Sequence, residues 1–455
     1  MRHSTTTPCL LFQGYFQKPL SARFDQLHAS SDGGAIVLAA ADRRLGLIDR
    51  LAECLEDRRD PAKRRHELRE LLAQRIFGLA CGYEDANDAA RLADDPIHKL
   101  LLGRDPVRGA ALASQPTLSR FENGVGRGAL LRMGEALLES VIASRRPGKV
   151  RRLTVDLDVT DDPTHGAQQL SFFNGHYGTA CYLPLLAFLT FNGEPDQHLV
   201  AALLRPGNAP TARGTLALLT RLLDRLQERF PQARILVRLD GGFAGPELLH
   251  FLDEVGVDYV VGLPGNPRLE RLAEPFMDAV RVCAALTGTT EHNYTDVRYA
   301  AKSWDRERRV VIKAEVTMHP GREPKDNPRF VVTNLRGDPQ RIYERVYCLR
   351  GEIENRIKEL HLGLQIDRTS CARFLANQLR VLLTAAAFVL LQEVRRRAVG
   401  TRFFRAQVWT LREQLLKLGA WVTVSARRIV LHLPAAFPFV TPWRRVAIAL
   451  GARAG

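Results

Sequence analysis

The sequence has no cysteine pair at metal or redox spacing. Its seven cysteines, at positions 9, 54, 81, 181, 283, 348 and 371, are scattered and form no Cys-x-x-Cys unit. That excludes a zinc knuckle and a disulfide framework, and fits reduced thiols in a cytoplasmic protein. Long apolar runs are missing too. The longest largely apolar stretch, Val381 to Leu391, has 11 residues, against the roughly 20 that a bilayer-spanning helix needs. The opening MRHSTTTPCLLFQGYF lacks the apolar run and cleavage site of a secretory leader. No repeat of fixed period and no low-complexity segment is present. With 455 residues, 45% hydrophobic and 25% charged, the chain reads as globular, with about three units of ~150 residues.

What the chain has in excess is positive charge. Sixty-five Lys and Arg stand against 50 Asp and Glu, a net +15, and the excess is local. Residues 1–150 carry +4, residues 151–362 carry −1, and residues 363–455 carry +12. The last segment includes Arg395, Arg396, Arg397, Arg402, Arg405, Arg427 and Arg428, interleaved with Phe403, Phe404, Trp409 and Trp421. This pattern suits contact with a nucleic-acid backbone; a solvated basic face is the alternative.

The chain divides by its grammar. Residues 1–150 read as an all-helical domain, with helices predicted at 33–48, 66–81, 115–123 and 129–144. Within it, SQPTLSRFENG sets a polar cap before Pro116 and leaves Thr117, Ser119 and Arg120 outward, as in a helix-turn-helix reading helix. RRPGK, 145–149, reads as a linker. Strands are then predicted at 153–160, 169–176, 182–191, 198–204, 233–239 and 257–263, with helices at 211–230 and 246–255. That order gives an α/β core, 151–263 resuming at 338–398, with active groups expected at strand ends. Residues 264–337 break it with polar turns, two strands and a final strand RFVVTNL, and read as a β-rich insertion. Residues 399–455 form a basic C-terminal segment.

The helix predicted over 338–364 carries the chemistry. At about 100° per residue, Tyr347, Arg350, Glu354, Lys358 and His361 share one stripe. Val346, Leu349, Ile353, Ile357, Leu360 and Leu364 form an apolar face beside it. Alone, such a stripe is as well explained by surface salt bridges such as Glu354–Lys358. Two strand-end aspartates accompany it: Asp158 on the first core strand, and Asp240 in RLDGGF, where glycines permit a tight turn. Each alone is a site or a turn cap. Converged with Glu354 they would repel, so convergence implies bound cations. Hard Mg²⁺ suits carboxylates plus phosphate, and two ions would serve the attacking and leaving oxygens.

TVDLDVTDD, VRLDGGF and RFVVTNL followed by YCLRGEIENRIKE resemble the DDE transposases of bacterial insertion sequences, over roughly residues 30–435. The strongest part is the Tyr-x2-Arg-x3-Glu signature at Tyr347, Arg350 and Glu354. The resemblance implies a ribonuclease H-like core, interrupted before the catalytic Glu by a mostly β insertion. It also implies Mg²⁺-dependent DNA cleavage and strand transfer, with Mn²⁺ as a substitute ion. The metal-binding, catalytic triad carries over to Asp158 in Asp-x-Thr, Asp240 and Glu354; Asp156, on the same face as Asp158, is the alternative first carboxylate. Tyr347 and Arg350 would hold DNA phosphates near the cut, with Lys358 and His361 as further DNA contacts. The signature expects a Lys where this chain has His361, and Lys358 lies one turn away. The Trp in KSWDRERR, Trp304, is either a stacking partner for a displaced base or a core residue of the insertion. Asp161 and Asp162 read as turn residues, and His165 and His176 as structural or as supports for neighbouring site residues. Implied partners are double-stranded DNA, as transposon ends and as target, and a second copy of the chain; no membrane is implied. The rivals are a structure-specific nuclease that does not join DNA, and an inactive DNA-binding relative.

Overall fold

The computed structural model describes residues 9–14 and 17–453. The leader reading of the first sixteen residues therefore lies partly outside the described residues. A nine-stranded mixed sheet organises the chain. Its strands are β1 (Arg152–Val159), β2 (Leu185–Phe191), β3 (His198–Leu203), β4 (Arg234–Leu239), β5 (Asp258–Leu263), β6 (Glu291–Tyr299), β7 (Arg308–Thr317), β8 (Lys325–Asp326) and β9 (Arg329–Thr333). They lie in the order β6-β7-β9-β5-β4-β1-β2-β3, with β8 paired to β7. β1, β4 and β5 are mutually parallel, so their C-terminal ends share one edge of the sheet. On the other side of β1, β2 pairs with it antiparallel and β3 pairs antiparallel with β2.

Alternation set the strands where one face is covered. Val155 and Leu157 are buried on one side of β1, as the period of two predicts. Every residue of β2 is buried, because both its faces are packed. The 169–176 run, predicted as a strand, shortens to Phe172–Asn174, which pairs with Thr179–Tyr182 in a small separate three-stranded sheet completed by Asp162–Pro163.

Residues 264–337 differ from the expectation at their start. Instead of polar turns they open with a 21-residue helix, Pro267–Thr287. The Asn266 side chain caps its first turn, accepting from the amides of Arg268 and Leu269, and Gly288 ends it at positive φ. Its buried stripe is thin (Leu269, Ala273, Met277, Val280, Ala284) and Pro275 interrupts it, so charge masked the period. The following strands β6, β7 and β9 extend the main sheet beyond β5.

The four predicted N-terminal helices form, with Gly46 in the left-handed region breaking the first into Ile36–Leu45 and Leu47–Glu53. They meet the sheet across the helix Phe374–Arg397, which packs on helices Leu68–Ala80 and Arg127–Ile142 and on β3. This helix is long and apolar enough to cross a bilayer, more than its 11-residue apolar run suggested, yet 89% of its apolar window is buried in the protein. It seals the sheet edge chemically as well. Gln378 accepts from the Leu204 amide at 2.7 Å and donates to the Ala202 carbonyl at 3.1 Å. Gln392 donates to the Gln197 carbonyl at 2.6 Å. Buried amide side chains thus satisfy edge groups that would otherwise stay unpaired.

Candidate active site

The shared edge of β1, β4 and β5 brings together Asp158, Asp240, Arg350 and Tyr347 of the sequence-predicted residues. Asp158 is the penultimate residue of β1, and its Oδ1 accepts from the Val159 amide at 2.9 Å. Asp240 directly follows β4 and caps the short turn Gly241–Phe243, accepting from the Gly242 amide at 2.9 Å. The remaining oxygens converge: Asp158 Oδ2 lies 3.4 Å from Arg350 Nη1, and Asp240 Oδ2 lies 3.2 Å from Arg350 Nη2. One guanidinium therefore spans two carboxylates from different strands.

The glycines around Asp240 serve space rather than unusual backbone angles. Neither Gly241 nor Gly242 has positive φ. A Cβ on Gly242 would stand 3.1 Å from Asp240 Oδ1. One on Gly262 of β5 would stand 2.5 Å from the Tyr347 hydroxyl and 2.8 Å from the Gly241 amide nitrogen. Gly262 thus lets Tyr347 and the Asp240 turn approach the same point of the sheet. Nothing in the local pattern had singled it out.

The helix that carries Tyr347, Arg350 and Glu354 is irregular. It runs from Pro339 to Gly363 through an α turn, a π turn (Tyr343–Tyr347), a 3-10 turn (Cys348–Gly351), an α segment (Glu352–Lys358) and a second π turn (Glu359–Gly363). Inserted π turns shift the phase of every later residue and occur preferentially at functional positions. The single 100° wheel accordingly fails at Leu349, predicted apolar-inward but 48% exposed. The rings of Tyr343 and Tyr347 meet at a tilt, 5.6 Å apart, Tyr294 of β6 meets Tyr343 likewise at 5.7 Å, and the Tyr294 hydroxyl donates to Glu344 at 3.0 Å. These contacts tie the first π turn to the sheet.

Burial pushes the Asp158 carboxyl up to about 6; Arg350 pulls it down, while Asp240, and to a lesser degree Glu354, raise it further. Glu354 is exposed and bears on Asp158 through this repulsion. The Glu354–Lys358 ion pair is not formed among the described residues, and Lys358 is exposed. His361 is held internally: Nε2 is 2.9 Å from the Thr160 hydroxyl and Nδ1 is 3.2 Å from Asp367. Thr160 is the Thr of Asp-x-Thr, so this bond joins the end of β1 to the end of the signature helix.

Asp156 proves to be a different kind of residue. It is fully buried and receives a two-pronged bond from Arg238, Nε to Oδ1 and Nη2 to Oδ2, both at 2.7 Å. Arg238 Nη1 also donates to the Val346 carbonyl of the signature helix at 3.1 Å. Asp162 is no plain turn residue either. It is buried, bonded by the Thr369 hydroxyl at 2.9 Å, and burial pushes its carboxyl up to about 8. It lies beside a cavity of about 390 Å³ lined by His165, Gln168, Gln365, Asp367 and Arg368.

Several basic and aromatic residues are spent inside the protein. Arg395 is buried and paired with Glu359 at 3.0 Å, while Arg396 and Arg397 pair with Glu393. Phe403 is buried; Arg402, Arg405, Arg427, Arg428, Trp409 and Trp421 stay exposed. The basic surface is thus smaller than the charge count suggested. Trp304 is half-buried and packs edge-on against Tyr299 at 5.4 Å under the Arg308 guanidinium. The helix Gln115–Gly124 forms with Arg120 exposed. The preceding helix ends at Leu101, so the short turn of a helix-turn-helix does not precede it.

A second cluster with metal-ligand chemistry, Asp32, Cys81 and His98, is wholly buried. Asp32 offers no free oxygen: Oδ2 meets His98 Nε2 at 2.9 Å and Oδ1 meets Lys417 Nζ at 2.8 Å. Lys417 also lies over the Tyr83 ring at 4.0 Å. The set is a closed internal network joining the N-terminal helices to the C-terminal segment.

Among solved structures, a piggyBac transposase synaptic complex with hairpin DNA is similar to this chain at 9% identity and a TM-score of 0.39, covering 78% of this chain and 73% of that one. No curated protein matches the sequence. A family model described as transposase DDE domain group 1 matches residues 12–452. With the match spanning nearly its whole length, the chain belongs to this family of DDE transposases.

Proposed function

We propose that this chain is a cut-and-paste DNA transposase whose catalytic carboxylates are Asp158, Asp240 and Glu354. One observation carries the assignment. The Oδ2 oxygens of Asp158 and Asp240, from the ends of adjacent parallel strands, face a single cation supplied by the Tyr-x2-Arg-x3-Glu helix. The strand order β3-β2-β1-β4-β5, with β1, β4 and β5 parallel, supports a ribonuclease H-like core, and the segment 264–337 is its insertion. Residues 1–150 and the exposed arginines of 399–455 are proposed to bind the element's terminal inverted repeats.

The donor set suits divalent metal: all three groups are carboxylates, and the space between two of them already accepts a positive charge. Bound Mg²⁺, as two ions and replaceable by Mn²⁺, would supply Lewis-acid charge for phosphodiester chemistry. The remaining work belongs to side chains. Arg350 offers a planar fork to a phosphate, Tyr347 a hydroxyl fixed against Gly262, and Lys358 an exposed positive charge. His361 fixes the end of β1 through Thr160. The reaction hydrolyses the transposon-end phosphodiester, and the freed 3′-hydroxyl then attacks target DNA, with no covalent protein intermediate. Both ends are cut together, so the DNA complex is at least a dimer, acting in the cytoplasm.

The test uses labelled DNA carrying the element's own ends, in Mg²⁺ or EDTA, with wild type and Glu354→Gln. Metal-dependent cutting and joining, lost in the variant, is the expected result. Cutting without joining would mark a nuclease, and end binding without metal-dependent chemistry a DNA-binding relative.

A further inference from the structure

Arg350 is required in two places. In the reading above, which this inference rests on, its guanidinium holds a DNA phosphate. In the DNA-free protein the same guanidinium spans Asp158 and Asp240. One N–H from each terminal nitrogen is committed to a carboxylate, so a phosphate that takes the two-pronged fork competes with Asp158 and Asp240 for it.

The quality of the two contacts separates this arginine from a structural one. Arg238 grips Asp156 through two parallel bonds of 2.7 Å in a fully buried pair. Arg350 reaches each partner with one nitrogen, at 3.4 and 3.2 Å, and Asp240 remains a third exposed. Long, single-pronged contacts forgo most of the strength of a fork. The backbone beneath Arg350 is also unusual: it lies in the 3-10 turn Cys348–Gly351, next to a π turn. A Cβ on the following Gly351 would meet nothing within 4 Å. The Arg350 side chain is largely buried, yet its polar contacts are long and its backbone lies outside a regular helical ladder.

We propose that Arg350 is a resident cation that couples DNA binding to metal loading. Without DNA it neutralises Asp158 and Asp240 and keeps their free oxygens facing one point. A phosphate of bound DNA draws the guanidinium away, and the vacated carboxylates then accept divalent metal. The role is one of positioning and exchange, and no bond is made or broken in it. Linkage makes the coupling reciprocal: DNA tightens metal binding, and metal tightens DNA binding by the same factor.

The experiment is calorimetric titration of the full chain with Mn²⁺ alone, with and without a duplex carrying the element's end. The catalytically silent Asp158→Asn/Asp240→Asn pair serves as the blank for Mn²⁺ bound by DNA itself. For wild type, DNA is expected to tighten Mn²⁺ binding by about tenfold or more, within the ordinary range of coupling. Arg350→Met is expected to bind Mn²⁺ about tenfold more tightly than wild type without DNA, and to gain little from DNA. Wild-type affinity unchanged by DNA overturns the proposal, and needs no variant to be folded. Arg350→Met binding like wild type in the absence of DNA overturns it as well. If Mn²⁺ binding survives in the Asp158→Asn/Asp240→Asn blank, the carboxylate assignment itself fails, which is a separate result.

Discussion

Two aspartates on one strand, Asp156 and Asp158, share a face of β1 and are each met by an arginine. Their pairs differ in every physical respect. Asp156–Arg238 is buried, two-pronged and short, with the arginine's third nitrogen bonded to the Val346 carbonyl. Asp158–Arg350 is long and single-pronged, and the arginine is divided between two carboxylates. A saturated pair has nothing left to offer a ligand. An under-coordinated one at a sheet edge, with a third carboxylate nearby, can exchange its cation. The same contrast disposes of Asp32, whose oxygens are both taken by His98 and Lys417.

The largest expected effect breaks the saturated pair. Arg238→Met leaves Asp156 charged and buried without a partner, for a loss of about 3–5 kcal/mol in thermal or denaturant unfolding. Arg350→Met leaves two partly wet carboxylates and is expected to lose less than about 2 kcal/mol in the same assay. Equal losses would erase the distinction.

The catalytic side of the contrast comes next. Asp158→Asn is expected to fold and to lower end cleavage by at least about 10³-fold, the scale of several kcal/mol of metal-supplied stabilisation. Gly262→Ala is expected to lose about 1–3 kcal/mol of stability. It should also slow cleavage, because the new methyl displaces Tyr347 and the Asp240 turn together.

A pH titration sharpens the comparison by a smaller effect. The Asp158 carboxyl sits at about 6 in the folded protein, above its ordinary 3.8. Below about pH 4 it is protonated in both folded and unfolded chains. Between there and about pH 6 the folded state keeps a proton that the unfolded chain has released, so stability falls as pH rises, then levels. Asp158→Asn removes that slope. Relative to wild type it is expected to gain about 1–3 kcal/mol between pH 4 and pH 7 in metal-free unfolding curves. The absence of any change would show that Asp158 does not carry this strain. Mn²⁺ affinity should rise over the same interval, because protons compete for the ligand.

Much of this was legible in the sequence. Alternation located β1, and Asp158 with Asp240 stood at strand ends because the α/β grammar put them there. The signature helix was found from its stripe and from the resemblance. What the sequence concealed was partnership. Asp156 and Asp158 have the same spacing and face, and only the contact with Arg238, eighty-two positions away, tells them apart. The π turns were hidden because a helical wheel assumes one period throughout. Arg395, Arg396 and Arg397 looked like surface charge, since composition does not show that Glu359 and Glu393 consume them. The helix Pro267–Thr287 was missed because its apolar stripe is diluted by charge and broken by Pro275. Gly262 carries no local signal at all; its need appears only when Tyr347 and Gly241 arrive beside it.

The most direct measurement of the central claim compares the two aspartates in one cleavage assay. Labelled element-end DNA in Mg²⁺ would be given to Asp158→Asn and to the double variant Asp156→Leu/Arg238→Met, which replaces the buried pair with apolar groups rather than orphaning a charge. Both would first be shown folded by their melting curves. The account predicts no cutting by Asp158→Asn and retained cutting by the double variant. Cutting by folded Asp158→Asn, or its loss in the folded double variant, would contradict it.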